Sequence, residues 1–130
     1  MKKFIAHITL VVSDYDEAIA FYTQKLRFKL IEDTALNPDK RWVLIAPPGA
    51  TETCLLLARA ATHEQQLSIG NQTGGRVAFF LYTDNFKRDY EYMQEQGIAF
   101  CGPVRTERYG MVTVFKDLYG NLWDLIEPVK

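Results

Sequence analysis

Two side chains that can do chemistry stand inside apolar stretches at opposite ends of this 130-residue chain, His7 and Asp124. Asp124 interrupts the apolar run of DLYGNLWDLIEP, residues 117–128. A carboxylate buried as an unpaired charge costs several kcal/mol, so something must satisfy it. A metal ion, an arginine such as Arg76, a histidine or a bound ligand would do so, and so would hydrogen bonds inside a polar cavity.

His7 can be a metal ligand, an acid or base, or a hydrogen-bonded histidine inside a pocket, because imidazole exchanges protons near neutral pH and binds metals. On a strand it shares a face with Thr9 and Val11. The other histidine, His63, lies in a polar segment and is expected to be a solvated surface group. A catalytic divalent ion needs three or four N, O or S ligands converging from neighbouring strands, with one position open to substrate.

The elements that must position these two residues follow from hydrophobic periodicity. FIAHITLVV, residues 4–12, predicts a buried strand that carries His7, and residues 13–26 predict a helix with Ser13 or Asp14 as its cap. A polar segment, 60–75, contains a short helix capped by Thr62. The remaining predicted elements are strands over 28–33, 40–47, 52–59, 76–83, 98–104, 109–116 and 121–127, and a helix over 84–97 that Gly97 ends.

The order βαβββ therefore occurs twice, and the two helix-opening aspartates are 70 residues apart. We predict a single domain, 1–130, made of a module 1–59, a linker 60–75 and a module 76–130. The same offset aligns His7 with Val77 and Cys54 with Asp124.

HITLVVSDYDEAIAFYTQKLRF, residues 7–28, resembles the opening of the vicinal-oxygen-chelate superfamily, which includes glyoxalase I, bleomycin-resistance proteins and extradiol dioxygenases. DLYGNLWDLIEP resembles its closing pattern. The resemblance implies an α+β fold whose two tandem βαβββ modules form a curved mixed sheet with a concave ligand cavity, and single-domain members that pair as homodimers. Arg27 departs from the pattern, which prefers glycine after the first helix.

In the superfamily the metal ligands come from the first and last strands of each module. The resemblance thus implies His7 and Asp124 as metal ligands here, while Val77 cannot bind a metal. Cys54 is expected to be a small core residue, and Glu52, two residues earlier on the same strand face, is the reserve candidate to complete the site or shuttle a proton. The implied cofactor is one divalent ion, Fe, Mn, Ni or Zn, or none at all.

Two functional classes remain open, and the sequence leaves open whether the chain is an enzyme. One is a metal-dependent lyase, isomerase or dioxygenase with a partly degenerate metal site, in which His7 and Glu52 are catalytic. The other is a metal-free protein that binds and sequesters a drug or toxin, with Asp124 as counter-charge. The candidate ligand-binding residues are Trp42, Gln72, Arg76, Tyr109 and Trp123.

Composition excludes several partners. Fifteen basic and sixteen acidic residues leave a formal charge of -1, so neither nucleic acid nor an anionic membrane is expected to bind. No apolar run approaches the roughly 20 residues that span a bilayer. Cys54 and Cys101 lack a CxxC spacing, which predicts free thiols and a cytoplasmic location.

Overall fold

The computed structural model describes residues 1–130 and divides into two compact units, residues 1–69 and 70–130. Each unit has its own mixed β-sheet, with a parallel pair of strands beside antiparallel pairs. Helices are few and short beside the strands. The predicted α+β class is confirmed.

The first unit begins with β1 (His7–Val12) and α1 (Tyr15–Ala20), which continues as a π-helical turn (Phe21–Lys25). Three strands follow, β2 (Lys29–Asn37), β3 (Lys40–Ala46) and β4 (Cys54–Arg59), and then α2 (His63–Ser68). The sheet order is β1-β4-β3-β2, and β1 runs parallel to β4. The buried side chains at the centre of this unit include Leu10, Val12, Tyr22, Ile45 and Leu57.

The ends of α1 follow the predicted chemistry. The Asp14 carboxylate accepts a hydrogen bond from the Glu17 N–H at 2.8 Å, which satisfies one of the free donors of the first turn. Beyond the last turn Arg27 has φ +59°, in the left-handed region that favours glycine. This explains why glycine is expected at that position.

The second unit contains β5 (Val77–Tyr82), α3 (Phe86–Glu95), β6 (Ala99–Phe100), β7 (Arg105–Glu107), β8 (Gly110–Lys116) and β9 (Leu122–Pro128). The sheet order is β5-β9-β8-β6, and β7 also pairs with β8. Of the predicted strand 98–104, only Ala99–Phe100 forms a strand, and β7 begins just beyond it, at Arg105. Gly102, with φ +104°, and Pro103, which has no N–H, interrupt its pairing.

The first unit ends with the helix predicted within 60–75, whose Thr62 hydroxyl accepts a hydrogen bond from the Gln65 N–H at 3.1 Å. Gly70 then passes directly against the 117–121 turn. A Cβ atom on Gly70 would lie 1.9 Å from the Tyr119 carbonyl oxygen, so this position admits no side chain. No helix of the chain is long and apolar enough to cross a membrane.

Candidate functional site

The second sheet has two different faces. Helix α3 packs on one of them, where the Tyr90 ring lies 4.7 Å from the Phe100 ring, and Phe100 pairs with Phe115. Side chains alternate along a strand, so Trp123 shares this face and Asp124 lies on the other. We call the second one the Asp124 face; it carries Phe80, Tyr82, Arg105, Val114 and Asp124.

Trp123, which the sequence predicts to stack on a ligand, is buried in the second unit. It is 3% exposed, and its ring lies 4.5 Å from Phe79 and 5.8 Å from Phe115, on the face covered by α3. Its indole N–H approaches the Asp117 carboxylate at 3.5 Å. Successive side chains of β9 point to opposite faces, so Trp123 packs in the core on one face and Asp124 lies on the other.

Asp124 is 9% exposed and sits in the centre of β9 between Phe80 of β5 and Val114 of β8. Its Oδ1 atom is buried and has no hydrogen-bond partner. Burial raises the pKa of this carboxyl above its ordinary value of 3.8, and the charge of Arg105 opposes that shift. A buried acceptor without a donor is uncommon in folded proteins and is a candidate ligand contact.

Arg105, rather than the predicted Arg76, is the cation that acts on Asp124. Arg105 pairs with Val112 across β7 and β8, which places it on the Asp124 face. Its Nη1 donates a hydrogen bond to the Glu107 carboxylate at 2.9 Å. Arg105 therefore attracts Asp124 through space, and the hydrogen-bonding capacity of Asp124 Oδ1 stays unused.

Two aromatic side chains beside Asp124 are exposed to solvent, Phe80 by 62% and Tyr82 by 67%. Both lie on β5, an edge strand of the sheet, and Phe80 is the direct cross-strand neighbour of Asp124. Sequence reasoning missed them because RVAFFLYT reads as a uniformly buried strand. The available signal was the pair of aromatic residues at alternate positions, which share one face.

His7 lies in the first unit, at the exposed start of β1. Its strand neighbour is Cys54, and its ring meets Trp42 edge to face, with centroids 5.8 Å apart and planes at 76°. Leu10 and Val12, on the alternate positions of β1, are buried. The structure thus brings together two of the predicted site residues, His7 and Trp42, on one face of the first sheet.

Glu52 does not extend this cluster. It was expected on the strand face of Cys54, but it lies in a bend before β4, with an exposed carboxylate 4.0 Å from Lys2 Nζ. The alternation that would align Glu52 with Cys54 holds only within a strand, so the premise of that prediction is wrong.

The offset of 70 residues does not superimpose the two modules either. His7 pairs with Cys54, yet Val77 pairs with Leu122, and Asp124 pairs with Phe80. An irregularity between Val77 and Phe79 shifts the register of β5. The cross-strand neighbour of Asp124 is therefore Phe80, and not Val77 as the offset indicates.

The residues beside Asp124 do not fit a divalent ion. The cross-strand neighbours of Asp124 are Phe80 and Val114, which offer no ligand atom, and the nearby charge of Arg105 is positive. No group of three or more His, Cys, Asp or Glu side chains in residues 1–130 is arranged to hold a metal. A metal site needs three or four such donors.

The other predicted ligand residues lie in turns. Gln72 and Arg76 are exposed in the segment before β5, where the Arg76 carbonyl accepts a hydrogen bond from the Thr73 hydroxyl at 2.5 Å. Tyr109 is exposed between β7 and β8. For these three residues, as for Trp42, contact with a ligand stays a prediction.

The sequence is similar to known proteins over almost the whole chain. Residues 4–125 match the model of the Glyoxalase/Bleomycin resistance protein/Dioxygenase superfamily. An uncharacterized protein of Shewanella frigidimarina (strain NCIMB 400) is 59% identical over 128 residues, which covers 98% of this chain and 95% of that protein.

Two solved structures are similar over almost the whole chain. UcmS2 has a TM-score of 0.84 at 26% identity, covering 98% of this chain and 99% of that chain. TnmS3, an antibiotic binding protein from Streptomyces sp. CB03234, has a TM-score of 0.78 at 28% identity, covering 98% of each chain.

Proposed function

This chain belongs to the Glyoxalase/Bleomycin resistance protein/Dioxygenase superfamily, and from that premise we propose that it is a metal-free protein that binds and sequesters a small planar molecule. The observation that carries the proposal is the Asp124 face of the second sheet. There, two exposed aromatic rings lie beside a buried carboxylate whose Oδ1 atom has no hydrogen-bond partner in the protein. Such a combination of apolar area and one unmet polar atom is typical of ligand sites.

The spacing of the two aromatic residues suits a planar ligand. Phe80 and Tyr82 are two positions apart on β5, so their Cβ atoms are about 7 Å apart along the strand. A compound of two or three fused rings is long enough to contact both. Stacking on an aromatic ring contributes about 0.5–1.5 kcal/mol beyond the burial of its area.

Similarity to TnmS3 supports the same class of function. TnmS3 is an antibiotic binding protein, and the two chains align over almost their full lengths. Binding needs shape and stacking area rather than a reactive ion, which agrees with the apolar cross-strand neighbours of Asp124.

The proposal is tested by fluorescence titration of the purified protein with a panel of fused-ring aromatic compounds, with and without EDTA. We expect saturable binding that EDTA leaves unchanged, and an affinity about fivefold lower for Phe80→Ala, because one stacking surface is lost. Phe80→Leu should retain part of the affinity, since it keeps apolar area. Leu118→Ala, at an exposed turn position of the same unit, is the control and should bind normally. Binding that requires an added metal, or that Phe80→Ala leaves unchanged, would contradict the proposal.

A metal-dependent lyase, isomerase or dioxygenase is the second candidate, and His7 is the observation that favours it. An exposed imidazole at the start of β1 is a suitable metal ligand or base. Elemental analysis separates the two candidates. A tightly held stoichiometric Fe, Mn, Ni or Zn ion that is lost in His7→Ala would replace the binding proposal with the enzyme.

We further propose that the protein works as a cytoplasmic homodimer joined along β1. This strand is an edge of the first sheet, and Phe4, Ile5 and Ile8 on or next to it are exposed. An exposed edge strand with apolar side chains readily pairs with another chain. Both cysteines are free, in agreement with a reducing compartment.

Light scattering at micromolar concentration is expected to give twice the chain mass. Ile8→Lys should shift the protein toward the monomer, because it places a charge in the apolar contact. Val129→Lys, at another exposed apolar position, should leave the mass unchanged. A wild-type monomer at this concentration would overturn the dimer without affecting the ligand-binding proposal.

A further inference from the structure

We infer that Asp124 is a specificity residue of the ligand site, which selects planar compounds carrying an N–H or O–H donor at a defined distance from the ring stacked on Phe80. The inference rests on the proposed function and adds the chemical class of the ligand. A compound of the same shape without that donor would bind the aromatic surface and leave the carboxylate unsatisfied.

Asp124 has a buried acceptor atom that the protein leaves without a donor. Asp124 is 9% exposed, and its Oδ1 atom has no donor within the protein. Both strands beside it present an apolar side chain at its level, Phe80 on one side and Val114 on the other. A ligand donor would satisfy the carboxylate, whereas an ionised carboxylate cannot itself donate a hydrogen bond.

The pairing of β5 with β9 places the carboxylate beside a ring stacked on Phe80. Neighbouring strands of a sheet are about 4.8 Å apart, so a ring resting on Phe80 of β5 has the Asp124 carboxylate of β9 about 5 Å to its side. When one ring of a fused system rests on Phe80, a donor attached to that system can reach the carboxylate at this distance. The site therefore requires a flat ring system with a hydrogen-bond donor on the edge that faces β9.

The buried carboxylate also makes the site discriminate strongly between ligands with and without a donor. A site built to accept a hydrogen bond rejects an analogue that lacks the donor, because its own polar group then stays buried and unpaired. Thr113 also has a buried hydroxyl oxygen without a partner, but it lies on the alternate face of β8, where Phe115 packs. Asp124 is therefore the unsatisfied group on the face that carries Phe80 and Tyr82.

The test compares 2-naphthol with 2-methoxynaphthalene, which share the ring system and differ in the O–H donor. Binding of each probe is measured by fluorescence and by chemical-shift titration, for the wild type and for Asp124→Leu. We expect the wild type to bind 2-naphthol about tenfold more tightly than the methyl ether, the effect of one hydrogen bond to a charged group. Asp124→Leu should bind both probes equally. Asp84→Leu, which removes an exposed carboxylate of the same unit, should keep the wild-type preference.

The possible outcomes distinguish a failure of the role of Asp124 from a failure of the proposed ligand-binding function. Equal binding of both probes by the wild type, or a preference that persists in Asp124→Leu, overturns the role of Asp124 and leaves a planar-ligand protein. Binding of neither probe, together with no saturable binding across the fused-ring panel, overturns both. If an ordered water already satisfied the carboxylate, the two probes would bind equally, which also overturns the inference.

Discussion

Replacing Asp117 by alanine is expected to lower the free energy of unfolding by about 3–5 kcal/mol, the range of a broken buried hydrogen-bond network. Asp117 is 6% exposed. Its carboxylate accepts hydrogen bonds from the backbone N–H of Tyr119 at 3.0 Å, and from the backbone N–H and side-chain amide of Asn121, both at 2.9 Å. Alanine would leave these donors unsatisfied within the turn that leads into β9.

Urea unfolding followed by Trp123 fluorescence measures this effect, because the Trp123 indole lies beside Asp117. Asp117→Asn is the matched control. It keeps the shape and one acceptor but loses the charge, so we expect a loss of about half that of alanine. Leu118→Ala, at an exposed position of the same turn, should change stability little. A loss below about 1 kcal/mol for Asp117→Ala would mean that water replaces the carboxylate in this turn.

The opposite result is expected at Asp124, where leucine should raise the free energy of unfolding by about 1–3 kcal/mol at neutral pH. The aspartate has a buried oxygen without a partner, and both cross-strand neighbours are apolar. Leucine removes the desolvation cost and adds buried apolar area. A residue whose removal stabilises the fold while impairing binding is retained for function, in agreement with the selectivity inferred above.

The difference in free energy of unfolding between Asp124→Leu and the wild type depends on pH. Burial raises the pKa of Asp124 in the folded protein above 3.8, with the attraction of Arg105 opposing it. The folded protein therefore binds the proton more tightly than the unfolded chain, so ionisation of Asp124 costs stability above the raised pKa. As the pH falls from the raised pKa towards 3.8, protonation removes that cost. Thermal unfolding of wild type and Asp124→Leu should show a stability gap that is widest at neutral pH and narrows in this acidic window. A gap independent of pH, or wild type more stable than the variant at pH 7, would contradict the prediction.

These two aspartates lie seven positions apart in the chain and have opposite expected effects. Nothing in the composition of DLYGNLWDLIEP distinguishes a carboxylate that accepts hydrogen bonds within a turn from one whose Oδ1 atom has no donor. The distinction comes from the donors around each carboxylate, which are three protein N–H groups within 3.0 Å for Asp117 and none for Asp124 Oδ1.

Local structure was largely predictable from the sequence because its causes are local. The caps at Asp14 and Thr62 and the helix end at Gly97 depend on side chains within a few residues, and all three are observed. Strand periodicity likewise predicted the strands that carry His7 and Asp124, whereas the α+β class followed from the family resemblance.

The site required the tertiary structure, because it depends on register and on which face a helix covers. A register shift in β5 makes Phe80 rather than Val77 the neighbour of Asp124. The packing of α3 sends Trp123 into the core, and a bend removes Glu52 from its strand. By itself the sequence determined the helix caps and the presence of a carboxylate in an apolar strand. Only the tertiary structure decided what surrounds that carboxylate, because cross-strand neighbours are distant in the chain and a shift of one residue exchanges the two faces of a strand.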